Sequence, residues 1–229
     1  MAHLKRQEMP KFWPLGRKKK RFAFVPVPGP HKKKECIPLA VIVRDIFKLC
    51  ETGKEAKKII KNKEILIDGR EITEEKFPVG LMDILTIKRT KENYLILPSK
   101  KSFEFRKISE KDAEYKYCKI IGKRMLKKGM QLNLHDGRNI LLPKEEKDKY
   151  YVGDTLKISL KTKKINKVIP YKEGADVLII RGKNRGIKGK IKEIILKKDL
   201  QGQRVKVEIN KEDKIFKKDL VFVIPKGFG

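Results

Sequence analysis

PLAVIVRDIFKLCETGKEAKKIIKNKEILIDGR, Pro38 to Arg70, followed by VGLMDILTI, Val79 to Ile87, holds the strongest organising pattern in the chain. Leu39, Ile42, Val43, Ile46, Phe47 and Cys50 recur at helical spacing. Pro38 suits a first helical position, where the N–H it lacks would have no partner. Thr52 and Glu55 form a T-x-x-E capping pattern, so a second helix is expected to start near Gly53. On that helix Ala56, Ile59 and Ile60 make the apolar stripe, and Lys54, Lys57, Lys58 and Lys61 fall at i, i+3, i+4 and i+7 on another face. Like charges at this spacing destabilise by roughly a few tenths of a kcal/mol per pair, a cost an anion would remove. Asp68-Gly69, after Ile65 to Ile67, is a two-residue signal for a type I′ hairpin, with Lys63 and Arg70 flanking it. A solvated amphipathic helix is the plain alternative, and context has to decide.

The context is charge. The chain of 229 residues is long enough for two to four small domains, and 59 Lys and Arg against 29 Asp and Glu leave a formal net charge of +30. So large a charge opposes compaction and calls for a polyanionic partner. Nucleic acid is the first expectation. A membrane surface is the second, but it needs an apolar anchor, and the aliphatic runs Leu39 to Val43 and Leu220 to Ile224 are too short to span a bilayer. The N-terminal MAHLKRQEMPKFW has no apolar signal core, so an intracellular site is expected. Cys36, Cys50 and Cys118 are odd in number and far apart, which argues against a disulfide framework or a paired-cysteine zinc site.

Residues 1–37 read as a basic, proline-rich arm. Eleven cations (Lys5, Arg6, Lys11, Arg17, Lys18, Lys19, Lys20, Arg21, Lys32, Lys33, Lys34) face only Glu8 and Glu35, and Pro10, Pro14, Pro26, Pro28 and Pro30 exclude a long helix or central strand. Phe12, Trp13, Phe22 and Phe24 are more aromatic surface than a solvated tail needs. The expectation is an extended arm that orders on RNA, with a disordered localisation tail as the alternative. Residues 92–171 read as a central β region. Glu92 to Lys119 is ambiguous, with a strand over Tyr94 to Leu97. Period-two strands follow at Tyr117 to Ile121, Gln131 to Leu134, Asn139 to Leu142, Thr155 to Leu160 and Ile165 to Ile169, together a small antiparallel barrel. In residues 172–229, Val177 to Ile180 is a buried-strand run, and the basic loop Gly182 to Gly186 leads into a returning strand from Ile187. Arg204 to Ile209 and Leu220 to Ile224 supply further strands. A Gly-then-Asp pattern recurs at Val79, Val152 and Glu173, just before apolar strands. Gly and Asp are ordinary turn residues, so the pattern serves only to place strand starts.

The helix pair, the KEILIDGR hairpin and the VGLMDIL strand resemble the S4 RNA-binding domain. That resemblance puts Lys54, Lys57, Lys58, Lys61, Lys63 and Arg70 at an RNA surface, with Arg44 on the first helix beside them. GADVLIIRGKNRGIKGKIKEI, Gly174 to Ile194, resembles the KOW motif of SH3-like barrels and adds Lys183, Asn184, Arg185 and Lys188 as RNA contacts. Lys5, Arg6, Arg17, Lys18, Lys19, Lys20, Arg21, Lys32 and Lys33 complete the set from the arm. The order of parts, from AHLKR and GPHKKKECIPL through both modules, resembles the S4e family of archaeal and eukaryotic small-subunit ribosomal proteins over essentially the whole chain. The resemblance implies an α+β, multidomain fold and a structural role in the ribosome of the cytoplasm. The implied partners are small-subunit rRNA and neighbouring ribosomal proteins, with no cofactor, membrane or small-molecule substrate.

Catalysis is the minor expectation. His3, His31 and His135 have no nucleophile and carboxylate at a recognisable spacing, and no Walker, dinucleotide or HExxH pattern is present. His135 beside Asp136-Gly137 is explained by a turn, and no second ligand sits at a usable spacing for a metal. The alternative functions are an RNA-binding translation or transcription factor, or an accessory to RNA modification.

Overall fold

The computed structural model describes residues 3–18, 20–127, 129–195, 203–209 and 212–228. The chain falls into two compact units, Met1–Leu97 with Lys101–Glu114, and Pro98–Lys100 with Tyr115–Gly229. Strands dominate, helices are few, and the strands form several separate sheets. Among the described residues no helix is long and apolar enough to cross a membrane.

In the first unit β1 (Leu4–Lys5) pairs with β2 (Phe22–Ala23), and β3 (Ile37–Pro38) leads into α1 (Leu39–Val41). The expected helix to Cys50 is not a regular one. After Val41 it widens into a π-helical turn, Ile42–Ile46, closed by Phe47 N donating to Ile42 O at 2.9 Å. Val41, Ile42 and Val43 are consecutive β-branched residues that crowd a tight α-turn, and Lys48 at φ 53° ends the run. The capping box does form: α2 (Gly53–Lys61) starts with Glu55 N on Thr52 Oγ1 at 3.2 Å and Thr52 N on Glu55 Oε2 at 3.4 Å. β4 (Ile65–Ile67) turns through Asp68 and Gly69, both at positive φ, into β5 (Arg70–Glu71), as a type I′ turn requires.

β6 (Pro78–Val79) pairs with β3, and β7 (Ile84–Ile87) with β4. The sheet then continues through β8 (Glu92–Pro98) and β9 (Phe103–Ile108), in the order β5-β4-β7-β8-β9. A division at residue 91 therefore cuts a sheet. The stretch that sequence alone leaves ambiguous is drawn in by aromatic contacts: Phe47 packs on Tyr94 and Phe105, with ring centroids 4.8 and 5.3 Å apart.

The arm departs furthest from expectation. Its apolar residues pack against protein: Leu4, Met9 and Trp13 are buried in the same core as Leu39, Ala56 and Ile60. Trp13 Nε1 donates to Cys36 O at 2.9 Å, and His31 Nε2 meets both oxygens of buried Asp83 at 2.9 Å. Gly80 N donates to the same carboxylate at 2.8 Å, and a methyl on Gly80 would overlap the His31 ring. The arm cannot collapse on itself, but it can bury its aromatics against a folded neighbour.

In the second unit β10 (Tyr115–Leu126), β11 (Gly129–Leu134), β12 (Asn139–Leu142), β13 (Thr155–Ser159) and β14 (Ile165–Ile169) form an antiparallel sheet ordered β12-β11-β10-β13-β14. β15 (Asp176–Ile179), β16 (Lys188–Ile195), β17 (Arg204–Ile209), β18 (Glu212–Lys217) and β19 (Val221–Val223) form another, ordered β18-β17-β16-β15-β19. Cys118, Met130, Leu132 and Leu156 centre one core, and Val177, Ile191, Val207 and Val221 the other. Two lysines are internal. Lys119 Nζ donates to Val221 O at 2.7 Å and Lys218 O at 2.9 Å, tying the sheets together, and burial pulls its pKa down to about 8. Lys116 Nζ lies 3.2 Å from the buried Asp136 carboxylate, which Arg138 Nε also reaches at 3.2 Å. Burial alone would raise the Asp136 pKa, but the charges of Lys116, His135 and Arg138 and the Arg138 N–H outweigh it and hold the group at about 2.

Two outcomes follow. The chain's sole tryptophan, Trp13, is expected to emit as a buried indole in RNA-free protein and to shift red on denaturation; a solvent-exposed spectrum at the start would contradict the docked arm. Asp136→Asn strips Lys116 of its carboxylate and is expected to cost about 3–5 kcal/mol in a urea titration. Because the folded pKa lies below the unfolded one, the Asp136 contribution is complete above about pH 4 and fades toward about pH 2. The gap between wild type and variant should narrow over that range.

Candidate nucleic-acid interface

α2 buries Ala56 and Ile60 and exposes Lys54, Lys57, Lys58 and Lys61 on its outer side. Lys63, at φ 58°, and Arg70 are exposed next to it, at the end of α2 and after the hairpin turn. Two of these cations already touch carboxylates: Lys57 Nζ lies 3.3 Å from Glu75 Oε1 and Lys63 Nζ 3.1 Å from Glu71 Oε2. The Lys63–Glu71 pair, exposed on both sides, is worth about 0–1 kcal/mol, so a phosphate can displace that carboxylate at little cost, whereas the Glu75 side chain beside Lys57 is mostly enclosed. Lys88 Nζ, 2.7 Å from Glu71 Oε1, adds a further exposed cation to this side.

Arg44 does not share that freedom. Its guanidinium lies 2.7 Å from Asp45 Oδ2 and 5.4 Å from the centre of the Phe24 ring, and its side chain is mostly buried. Arg6 is more enclosed still, donating to Gly16 O at 2.8 Å and Phe22 O at 3.3 Å with 4% of its surface exposed. Both are expected RNA contacts; in the structure Arg6 braces the arm on itself, and Arg44 sets the π-helical turn against Phe24 of the arm. Spacing in sequence could not reveal this, since their partners include residues up to 20 positions away, from Arg44 to Phe24.

The other arm cations, Lys5, Arg17, Lys18, Lys20, Arg21, Lys32 and Lys33, are exposed. Arg17 also braces the arm through Gln7 O and Met9 O, and Arg21 lies over the Phe22 ring. Lys19 lies outside the described residues. In the second unit the Gly182–Gly186 loop is a tight turn: Arg185 N donates to Gly182 O at 3.2 Å and Gly186 N to Ile179 O at 2.8 Å. Gly186 at φ 85° passes so close to Pro98 O that a Cβ would lie 2.6 Å from it. Lys183 is exposed, Asn184 and Arg185 are half-buried, and Lys188 Nζ donates to Phe228 O. Sequence reasoning passed over the basic run KRMLKKG, Lys123 to Gly129. In the structure Arg124 and Lys127 are exposed at the β10–β11 hairpin.

Cys118, His135 and Asp136 bring three ligand-type atoms within 4.8 Å of one another. Each has an internal use. Asp136 holds Lys116 and Arg138, Cys118 Sγ donates to Asp136 Oδ2 at 3.5 Å, and His135 Nδ1 accepts from Lys119 N at 3.2 Å. A lysine ammonium at the carboxylate leaves poor electrostatics for a cation.

A family model described as Ribosomal family S4e matches residues 90–165, and one for the RS4NT domain matches residues 2–34. The small ribosomal subunit protein eS4 of Methanothermobacter thermautotrophicus is 39% identical over 227 residues, 98% of this chain and 92% of that one. The chain belongs to the S4e family of ribosomal proteins. The eS4 of Methanocaldococcus jannaschii is 43% identical over 230 residues, 97% of this chain and 93% of its own. The crystal structure of the 30S ribosomal protein S4e from Thermoplasma acidophilum superposes with a TM-score of 0.72 at 28% identity, covering 84% of this chain and 96% of that one. S4e proteins are structural and non-enzymatic.

Lysine acylation of the RNA-free chain tests the geometry. Lys54, Lys58 and Lys61 are expected to react as open surface amines, and Lys116 and Lys119 far more slowly. Equal rates would mean that the buried lysines are misassigned.

Proposed function

We propose that this chain is a structural constituent of the small ribosomal subunit, binding and stabilising small-subunit rRNA during assembly and in the finished particle. The observation that carries the reading is the face of α2. Four exposed lysines at helical spacing sit on a helix pinned by a capping box, beside a rigid two-residue hairpin turn. The first unit is read as an S4-type RNA-binding module with the arm as part of its body, and the end of the chain as a KOW-type barrel presenting Lys183. Exposed arm cations, the α2 face and the Gly182 loop supply phosphate contacts and therefore affinity; the shape of the helix and hairpin selects the RNA fold. Neighbouring small-subunit proteins are the other partners. Arg6 and Arg44 support the surface from behind.

Replacing Lys54, Lys57, Lys58 and Lys61 together by glutamate is the direct test, since none of the four is buried and the fold should survive. Affinity for small-subunit rRNA is expected to fall, and the slope of log K against log salt to shallow by about three as phosphate contacts are lost. Unchanged affinity and slope would remove α2 from the interface. A translation factor or modification accessory that bound RNA only in passing would show weak binding without preference for small-subunit rRNA.

A further inference from the structure

The sheet β12-β11-β10 has an inner face of Met130, Leu132 and Leu134, all buried. By strand alternation Gln131 and Asn133 belong to the opposite, outer face. The register builds two rows there: Arg124–Gln131–Leu141, and Gly122–Asn133–Asn139. A β-bulge between Ile120 and Gly122 adds Ile121 beside Asn133, because a bulge sets two residues against one. Ile121 and Leu141, at 57% and 60% exposure, flank the amides on either side. Gly122 leaves the floor low: a Cβ there would lie 3.4 Å from Asn133 Nδ2.

Gln131 Nε2 donates to Asn133 Oδ1 at 2.8 Å. That bond fixes the two amides together and leaves Oε1 of Gln131 as an acceptor and Nδ2 of Asn133 as a donor that it does not engage. An acceptor and a donor held in one bonded amide pair can serve a base edge that offers both, as adenine does with N6 and N7. Aliphatic side chains at 121 and 141 suit the two faces of a base, the Arg124 guanidinium plane can stack or meet a phosphate, and neither row holds a carboxylate. The charge, with Lys127 at the hairpin end, favours RNA over an apolar protein partner.

We infer that this outer face binds an unpaired RNA nucleotide, with Gln131 and Asn133 reading the base edge, Ile121 and Leu141 packing on the base, and Arg124 holding the adjoining phosphate. The site rests on the RNA-binding role proposed above but is distinct from α2, the arm and the Gly182 loop, where contacts are to phosphate. It turns the central sheet from a spacer into a reader of splayed bases.

The test uses the full chain with two RNA probes: a short, unstructured, adenine-containing oligoribonucleotide, and a blunt duplex of equal phosphate number. The double variant Gln131→Ala with Asn133→Ala keeps the net charge, and thermal melting checks its fold. Affinity for the unstructured probe is expected to drop about fivefold or more, the scale of one lost base contact, while duplex affinity and the salt slope stay put. Equal affinity of variant and wild type for the unstructured probe overturns the site, as does a parallel loss on both probes. Ultraviolet crosslinking of assembled small subunits gives a readout independent of the variant: nucleotide adducts within residues 121–141 support the site, and a protein neighbour covering that face overturns it. Failure of wild type to bind either probe would sink the RNA-binding role itself, a distinct result.

Discussion

Self-repulsion among positive charges is the constraint that shapes this molecule. With a formal charge of +30, folding is affordable only if the scarce carboxylates go where they do most and the surplus ammonium and guanidinium groups stay in water. Asp68, Asp83, Asp136 and Asp154 are all buried, and each accepts a backbone N–H: from Ile84, Gly80, Arg138 and Tyr151 respectively. These acids organise turns and anchor cations that had to come inside. The glutamates stay nearer the surface, and the pairs that Glu71 makes with Lys63 and Lys88 are exposed and weak. The outcome is two compact units, each with its surplus cations left in solvent.

That division explains which parts of the structure were legible in sequence. The start of α2 and the Asp68-Gly69 turn are local chemistry, settled within four residues, and both form as their residue types require. The recurrent Gly-then-Asp pattern holds more than a strand marker. Asp83 and Asp154 each bond the N–H three residues upstream, whereas the third aspartate, Asp176, is not buried. Period-two alternation located β11, β12 and β13, while β18 passed unnoticed because its polar residues are largely exposed.

What sequence could not show is long-range. The arm's docking depends on Trp13 reaching Cys36 and His31 reaching Asp83, 23 and 52 positions away. Proline content correctly excludes regular structure there but says nothing about burial against a neighbour. For the same reason cation counting could not separate enclosed arginines from exposed ones: Arg6 and Arg44 look like any other surface arginine until the carbonyls and rings around them are known. Lys116 and Lys119 show the converse, lysines spent on internal bonding in strands that alternation marks only as half-buried.

The central claim is that so cationic a scaffold exists to be embedded in the RNA of the small subunit. Its most direct measurement is sucrose-gradient sedimentation of ribosomes from cells expressing the tagged chain, with small-subunit fractions quantified by mass spectrometry before and after a high-salt wash. The account predicts one copy per small subunit, retained through a wash that strips loosely bound factors. Substoichiometric recovery, or release of the chain into the soluble fraction, would contradict it.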